Sequence, residues 1–397
     1  MISHLSHRRI LVLAATAFIL FSVYLCATRL SVQSFERENM AHATQPTTQD
    51  DHLEEDKSPE IRLNKADLPM SYGQFNRPEF EGLKIIEALP EQYVPTPENG
   101  RRLIIIGDIH GMDTELQALL EEASYNGTND HVIAVGDMIN KGPDSSGVVS
   151  RLMSMNASAV RGNHEDRILL AHNAIEAQYG VSKDLETQLD QEPEGELRDL
   201  VLARHLSKDH IKWLSELPAI LTVDQLGMYI VHAGLVPGVE LEKQDPWAVM
   251  NMRTLSYPRE EIRKKEGEAP RLNKREEEEE AEDAQSPPDD EDEDMDTSII
   301  PFDRRIALPS AGHKGDRWTD AWNTHQRRLP RRLRRTVVYG HDAKTGYKES
   351  KYTFGLDSAC VKGEALTALI VEAAPGGGFK HKTLQVRCRE SEGTSEE

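Results

Sequence analysis

Cysteine is scarce in this chain. Its 397 residues include three cysteines, and no two of them form a Cys-x-x-Cys pattern. Zinc sites built from cysteine thiolates use such closely spaced pairs, so a site of that kind is not expected. Cys26 lies in an apolar run, and the sequence leaves open whether Cys360 and Cys388 form a disulfide.

Positive charge is in deficit, with 47 Lys and Arg against 68 Asp and Glu, but the imbalance is uneven along the chain. The formal net charge is −21, and residues 276–296 hold fourteen Asp and Glu with no Lys or Arg. Because the remaining chain is only mildly acidic, charge does not exclude a polyanionic substrate. The segment Arg327–Arg335, which we call the basic segment, has six arginines in nine residues.

An uncharged apolar run covers residues 10–27 and directly follows Arg8 and Arg9. Its eighteen residues are near the lower limit for a membrane-spanning helix and long for a signal-peptide core. The basic flank places residues 1–9 in the cytosol and the rest in a lumen or outside the cell. We therefore predict a signal anchor, with a cleaved signal peptide as the alternative. Sequons at Asn126 and Asn156 are compatible with a luminal domain.

The rest of the chain divides by composition. Residues 28–80 are polar with few aromatics and are predicted to form a luminal stalk. Residues 81–375 alternate apolar strands with amphipathic helices and are predicted to fold as one domain. Within them, residues 256–300 are highly charged and are predicted to be a disordered insertion, because such a segment cannot bury a core. Residues 376–397 are predicted to be a flexible tail.

Polar side chains follow five predicted strands of this domain. Leu103–Ile106 is an apolar strand that ends at Gly107 and leads directly to Asp108 and His110. In an α/β sheet, ligands bind beyond the carboxyl ends of strands, so chemistry is expected there. The polar positions after the other predicted strands are Asp137, Asn163, His164, His232 and His341.

These residue types predict a metal centre. A single Asp or His at a strand end is ordinarily a cap or a hydrogen-bonded core residue. Five such strand ends with flanking glycines make coincidence the poorer explanation. Carboxylate and imidazole ligands suit zinc, manganese or iron better than calcium. We predict two divalent ions, zinc foremost, with manganese, cobalt or magnesium as alternatives.

Five sequence blocks resemble those of the calcineurin-like metallophosphoesterases. They are GDIHG at 107–111, GDMINKGPDS at 136–145, VRGNHE at 160–165, VHAGLVPG at 231–238 and VYGHDA at 338–343. Residues 355–368 are similar to the C-terminal motif of the branch that contains diadenosine tetraphosphatases. The anchor, residues 247–254 and the acidic insertion are similar to those of fungal vacuolar, zinc-dependent endopolyphosphatases.

The resemblance implies an α/β fold with two facing mixed β-sheets flanked by helices, preceded here by one transmembrane helix. It implies that Asp108 and His110 bind one metal, that Asp137 bridges both, and that Asn163, His232 and His341 complete the second. The family's general acid corresponds to His164. Its partner is Asn140, where protein phosphatases of this superfamily usually have an aspartate. The predicted phosphate-binding residues are Arg161, Lys141 and Arg253.

The predicted function is metal-dependent endopolyphosphatase. Internal phosphoanhydride bonds of inorganic polyphosphate would be hydrolysed by in-line attack of a metal-bridging hydroxide. The alternatives are a diadenosine tetraphosphate hydrolase or a serine/threonine protein phosphatase with the same centre, and a catalytically weak binding module on a membrane stalk. The predicted location is the vacuole membrane, as a single-pass type II protein with a luminal catalytic domain. No nucleic acid partner is expected, and the sequence does not fix the oligomeric state.

The basic segment precedes the strand that leads to His341, so we expect it near the mouth of the site, where it would bind polyphosphate. The alternative is a solvated linker that pairs with the acidic insertion. Trp318 and Trp322, four residues apart, either pack in the core or cover the site.

Overall fold

Two mixed β-sheets enclose an apolar core in the computed structural model, which describes residues 82–177, 196–267 and 302–389. The alternation of side chains along each strand explains this layering. Leu103 and Ile105 face the core between the sheets, whereas Ile104 and Ile106 pack against helices on the outer side. The sequence therefore folds into an α/β architecture of mixed sheets flanked by helices, as predicted.

The first sheet has five strands in the order β14-β13-β2-β3-β4. Strands β2, β3 and β4 are parallel, and β13 runs antiparallel to both β2 and β14. The bounds are Arg102–Ile106 for β2, Asp130–Ala134 for β3, Ser158–Ala159 for β4, Ala365–Ala373 for β13 and Phe379–Arg387 for β14.

The second sheet has six strands in the order β1-β5-β6-β10-β12-β11. Strands β6, β10 and β12 are parallel, and β5 and β6 form the predicted hairpin. The bounds are Ile86–Ala88 for β1, Ile220–Val223 for β5, Met228–Val231 for β6, Thr336–Tyr339 for β10, Lys348–Ser350 for β11 and Thr353–Gly355 for β12.

A third, small sheet has the order β8-β7-β9 and is antiparallel. Its strands are Thr254–Ser256 (β7), Leu308–Ser310 (β8) and Asp316–Arg317 (β9). It joins chain segments that are more than fifty residues apart, and no pattern in the sequence predicted it.

Eight α-helices lie in the described part of the chain. The helices of the first half pack on the five-stranded sheet, and the helices Pro246–Asn251 and Trp318–Arg328 contribute to the core on the outer face of the six-stranded sheet. The bounds are Asp113–Glu122 (α1), Ser145–Ser154 (α2), Asn163–Ala177 (α3), Glu196–His205 (α4), Lys208–Ser215 (α5), Pro246–Asn251 (α6), Pro258–Glu266 (α7) and Trp318–Arg328 (α8).

Two predicted boundaries are wrong. Helix α7 lies inside the range 256–300 that was predicted to be disordered, because Arg263 and Glu260 form ion pairs with Asp303 and Arg304. Strand β14 lies inside the predicted flexible tail 376–397 and pairs with β13 along nine residues. Residues 268–301, which contain the acidic tract, lie outside the described residues.

The structure also resolves the alternatives for the cysteines and tryptophans. Cys360 and Cys388 form a disulfide that attaches the end of β14 to the loop after β12. Trp318 and Trp322 are buried and belong to the core beside the six-stranded sheet.

The basic segment lies at the opposite end of β10 from His341. Its last residue, Arg335, precedes β10, and its carbonyl accepts a hydrogen bond from Trp322 Nε1 at 3.1 Å. His341 follows the other end of the strand, up to about 20 Å away along an extended chain. The expectation that this segment lies at the mouth of the site is therefore wrong.

The predicted anchor (10–27) and stalk (28–80) lie outside the described residues. No helix within 82–177, 196–267 or 302–389 is long and apolar enough to cross a membrane.

Candidate metal centre

The six predicted metal ligands lie beyond the carboxyl ends of strands from both large sheets. Parallel neighbours β2, β3 and β4 end at one edge of the first sheet, and β6 and β10 end at one edge of the second. Five of the six side chains are buried and one is half-buried. They are Asp108 and His110 after β2, Asp137 after β3, Asn163 after β4, His232 after β6 and His341 after β10.

Four electron-pair donors converge around His232. Its Nε2 lies 2.9 Å from Oδ1 of Asn163, 3.1 Å from Nδ1 of His341 and 3.4 Å from Oδ1 of Asp137. The Oδ1 of Asn163 also lies 3.1 Å from Nδ1 of His341. These atoms are the ones that the prediction assigns to the second metal.

In His232 and His341, the ring nitrogen that points away from the other donor atoms faces a backbone carbonyl. His232 Nδ1 lies 3.0 Å from Val135 O, and His341 Nε2 lies 2.9 Å from Asn251 O. Each of these nitrogens must carry the proton to make its hydrogen bond, so in the neutral rings the inner nitrogens hold lone pairs. Lone pairs that face one another repel unless a cation lies between them. The donor set therefore fits a divalent ion.

His110 has the same arrangement. Its Nδ1 lies 3.2 Å from Ile139 O, and its Nε2 lies 3.6 Å from Oδ2 of Asp137. The ligand atoms of His110, Asp137 and His164 lie within 4.8 Å of one another, as do those of Asp137, His232 and His341. Asp137 is the member that these two groups share, which is the position expected of a bridging carboxylate.

Asp108 connects the two sheets. Its carboxylate accepts hydrogen bonds from the backbone N–H of His341 at 3.1 and 3.0 Å. Any side chain at Gly340 would collide with this carboxylate, so glycine is required there. Burial and the neighbouring Asp357 carboxylate raise the pKa of Asp108 well above its usual value. A nearby cation would offset this effect and keep Asp108 ionised.

Several residues of the centre have left-handed backbone conformations. The φ angles are 49° at His110 and Asp137, 73° at Asn140, 67° at Lys141 and 69° at His341. Such conformations cost about 1–3 kcal/mol each for residues with side chains and persist only where surrounding contacts enforce them. Their concentration at the candidate ligands is typical of a functional site.

Glu165 supplies such contacts, and sequence reasoning gave it no role. It is fully buried, and its carboxylate accepts hydrogen bonds from the backbone N–H groups of Asp137, Met138 and Gly162 at 2.8 Å and of Ile139 at 3.3 Å. It thereby fixes the loop after β3 against the loop after β4. Its place in the block VRGNHE, directly after His164, is the signal that could have identified it.

A hydrogen-bonded chain runs from His164 to an aspartate on α4. Asn140 Nδ2 lies 3.1 Å from Nδ1 of His164 and donates to Oδ1 of Asp199 at 2.8 Å. Asn140 Oδ1 accepts from the backbone N–H of Lys141 at 2.8 Å, so both ends of the amide are assigned by their partners. The Nδ1 of His164 then accepts a hydrogen bond, and a neutral His164 carries its proton on Nε2. Asp199 was missed because no motif marks it.

The three predicted phosphate-binding residues have different surroundings. Lys141 Nζ lies 3.4 Å from His110 Nε2, and Arg253 donates to the carbonyl of His341 at 3.0 Å, so both adjoin candidate ligands. Arg161 is buried and donates to the carbonyl of Ser215 at 2.6 Å. Its Nε has no hydrogen-bond partner among the described residues.

The central carboxylate and imidazole strongly influence each other. Burial alone would raise the pKa of Asp137, but the imidazoles of His232 and His164 hold it well below its usual value. Burial opposes a charge on His232, yet the carboxylate of Asp137 raises the pKa of this histidine to about 9. Without a metal ion, a proton on His232 is the positive charge that satisfies the converging donors.

Comparisons with known proteins agree with this geometry. The family model for calcineurin-like phosphoesterases matches residues 101–344. The zinc-dependent endopolyphosphatase of Saccharomyces cerevisiae is 25% identical over 308 residues, which are 72% of this chain and 81% of that protein. A solved structure assigned as a diadenosine tetraphosphatase aligns with a TM-score of 0.50 and 25% identity, covering 77% of this chain and 98% of that one.

Symmetrical bis(5'-nucleosyl)-tetraphosphatases are also similar. The protein from Nitrosospira multiformis is 28% identical over 304 residues, which are 71% of this chain and 94% of that protein. The one from Pectobacterium atrosepticum is 31% identical over 139 residues. The latter match covers 34% of this chain and spans less than half, 44%, of that relative. With the family model matching more than half of its length, this chain belongs to the calcineurin-like phosphoesterases.

Proposed function

We propose that the protein is a two-metal phosphohydrolase that cleaves internal phosphoanhydride bonds of inorganic polyphosphate. The convergence of imidazole, amide and carboxylate ligand atoms on both sides of Asp137 is the observation that carries the hydrolase assignment. The similarity to the yeast endopolyphosphatase along most of the chain supports the choice of substrate.

The proposed ligands divide into two sets that share one carboxylate. Divalent ions held there would polarise phosphoryl oxygens and lower the pKa of water. The donor chemistry suits zinc, and manganese, cobalt and magnesium are the alternatives. The first set is Asp108, His110 and Asp137, and the second is Asp137, Asn163, His232 and His341.

His164 would donate a hydrogen bond from Nε2 to the leaving oxygen. Its Nε2 lies 3.8 Å from Oδ2 of Asp137, so it faces the same centre. The nearby cations Lys141 and Arg253 would neutralise charge on the phosphoryl group. The assignment of Arg161 to this role rests on the sequence resemblance.

The neutral His164 favours an anhydride over a protein phosphoester. A phosphate leaving group has a pKa of about 6 and can depart with a hydrogen bond alone. The alkoxide released from a phosphorylated serine is far more basic and needs a full proton. The side-chain amide of Asn140 donates a hydrogen bond to Nδ1 of His164. An imidazolium carries a proton on Nδ1, so protonation of His164 would break this hydrogen bond. Diadenosine tetraphosphate is also an anhydride, and the similarity to tetraphosphatases makes it the second candidate.

The proposal includes a luminal position behind an N-terminal membrane anchor over residues 10–27, in the vacuole. The Cys360–Cys388 disulfide supports an oxidising compartment, because disulfides are rare in cytosolic proteins.

The test offers the purified protein long-chain polyphosphate, diadenosine tetraphosphate and a phosphopeptide, each with zinc, manganese, cobalt or magnesium. Chain shortening into fragments of intermediate length, resolved by electrophoresis, is the expected result. Activity confined to the dinucleotide would overturn the choice of polyphosphate. The variant Asp137→Asn should lose metal-dependent turnover, and a normal rate in that variant would refute the two-metal assignment.

A further inference from the structure

Three cations line one small cleft beside His341. Arg253, Arg317 and Lys348 all line it, and Asp342 is the one carboxylate among its lining residues. Three positive charges and one negative charge leave a net charge of +2 in the cleft. Of these three cations, Arg253 is the one that was predicted from the sequence to bind phosphate.

Two of these cations have no carboxylate partner within the described residues. Arg317 is exposed and Lys348 is half-buried, and neither forms an ion pair or side-chain hydrogen bond with another described residue. Arg253 differs, because it donates to the carbonyls of His341 and Ala311. Unpaired cations on a wall beside a metal centre are available to an anionic ligand.

The small third sheet holds Arg253 and Arg317 next to each other. Thr254 on β7 pairs with Arg317 on β9, and the backbone N–H of Arg253 donates to Ser310 on β8 at 2.8 Å. Lys348 reaches the same cleft from β11, where it pairs with Gly355 of β12. The backbone positions of all three cations are therefore fixed by sheet pairing.

The aromatic rings of the cleft are not available for stacking. Trp318 and Tyr339 line it, but they are only 2% and 4% exposed and pack edge to face at 4.9 Å. A bound nucleobase commonly stacks on an exposed ring, and no lining residue of this cleft offers one. Guanidinium and ammonium groups without an exposed ring suit an inorganic phosphate chain better than a nucleoside.

We propose that Arg317 and Lys348 bind phosphate units of a polyphosphate chain that lie beyond the scissile bond, on the His341 side of the centre. This inference rests on the proposed function and extends it to a specific subsite. Arg317 also lines a neighbouring cavity of about 530 Å³, whose lining carries Arg304 and Arg328 together with the carboxylates Asp316 and Asp320.

The test compares Arg317→Ala, Lys348→Ala and the double variant with Lys382→Ala, which removes an exposed lysine from β14, outside the cleft. The double variant should raise KM for long-chain polyphosphate on the order of tenfold. The loss for p-nitrophenyl phosphate, which has one phosphoryl group, should be several times smaller. The dependence of log kcat/KM on log salt concentration should become shallower by about one for each cation removed. Arg317→Lys should retain more affinity than Arg317→Ala.

Direct binding separates this inference from the proposed function. Long-chain polyphosphate is titrated into the purified protein carrying Asp137→Asn, with and without the double substitution, and the expected change is a similar rise in Kd. If the wild type binds polyphosphate through these cations but does not cleave it, the proposed function fails and the subsite stands. If the wild type cleaves polyphosphate while the double variant keeps its KM, Kd and salt response, the subsite is refuted. An equal loss of affinity for diadenosine tetraphosphate would refute the preference for an inorganic chain.

Discussion

At the scale of single residues, ring nitrogens control how the centre responds to pH. The pKa of His232 is raised to about 9 despite burial, and that of His110 is lowered to about 4 by burial and by Lys141. At neutral pH without metal, His232 is therefore protonated and His110 is not. A divalent ion must displace the proton from His232, because an imidazole can bind a metal only through a lone pair.

The first prediction follows from that displacement. Binding of the metal ion in the second set should release about one proton per ion at neutral pH, and its affinity should rise about tenfold per pH unit between about pH 6 and 8. The direction is fixed because a higher pH removes the competing proton. Calorimetric titration of metal-free protein with zinc, in two buffers of different ionisation heat, counts the protons. Zero release at pH 7 would contradict the assignment of His232 as a ligand.

The second prediction concerns Asp199, which we regard as a positioning residue. Asp199→Asn should lower kcat about tenfold or more, since general acid and base contributions are about 10²–10⁴ in rate. Without the carboxylate, the Asn140 amide is free to turn its oxygen toward His164, and Nε2 then loses the proton directed at the leaving oxygen. KM should change little, because Asp199 does not reach the substrate.

A matched control separates positioning from folding. Asp113 forms an ion pair with Arg151 at 2.6 Å, as Asp199 does with Arg167 at 2.7 Å, but Asp113 lies on α1. Asp113→Asn should retain kcat and its pH profile. The idea fails if Asp199→Asn retains the wild-type kcat and the pH dependence of kcat.

At the scale of secondary structure, sequence reasoning succeeded where strands are buried on both faces. β2 and β10 are apolar after their first residue, and the polar side chains that follow each strand mark the edge where the centre forms. Those runs predicted the strands, whereas the architecture of two facing sheets and the full set of ligands were predicted from the resemblance of the glycine-containing blocks to calcineurin-like phosphoesterases. The ligand roles themselves remain predictions.

Other elements are invisible to such reasoning for physical reasons. β14 is an edge strand with mostly exposed polar residues, and α7 is a highly charged helix that depends on ion pairs with a distant segment. The third sheet has strands of two or three residues, whose pairing depends on contacts remote in sequence. Asp199 likewise reaches Asn140 across 59 residues, which no local pattern records.

The third prediction concerns β14. A chain that ends at Ala374 should lose several kcal/mol of stability and unfold with low cooperativity, since it lacks nine paired residues and the disulfide. Leu384 and Val386, which pack against the core beneath α1, would be lost as well. Thermal unfolding followed by circular dichroism measures the effect against the full chain. An unchanged melting temperature would contradict a stabilising role of β14.

At the scale of the whole molecule, charge is distributed unevenly along the chain. The formal net charge is −21, and the fourteen acidic residues of 276–296 contribute most of it, so that removing them leaves −21 + 14 = −7. The basic segment lies at the far end of β10 from His341, so acidic residues bound there would not block the centre. The acidic tract can still repel a polyanion without touching it. Electrostatic repulsion acts over a distance that is set by ionic screening.

The fourth prediction separates long-range repulsion from direct competition. Replacing residues 276–296 with an uncharged Gly/Ser linker of equal length should raise kcat/KM for polyphosphate severalfold at about 0.01 M salt, where the Debye length is about 30 Å. The difference should vanish near 1 M salt, where that length is about 3 Å. kcat should stay the same, because the substitution changes only how often polyphosphate reaches the cleft.

A tract that competed by binding the cleft at Arg317 and Lys348 would instead lose its effect in the double variant lacking those cations. Identical KM and salt response in the two proteins would show that the tract has no part in substrate capture.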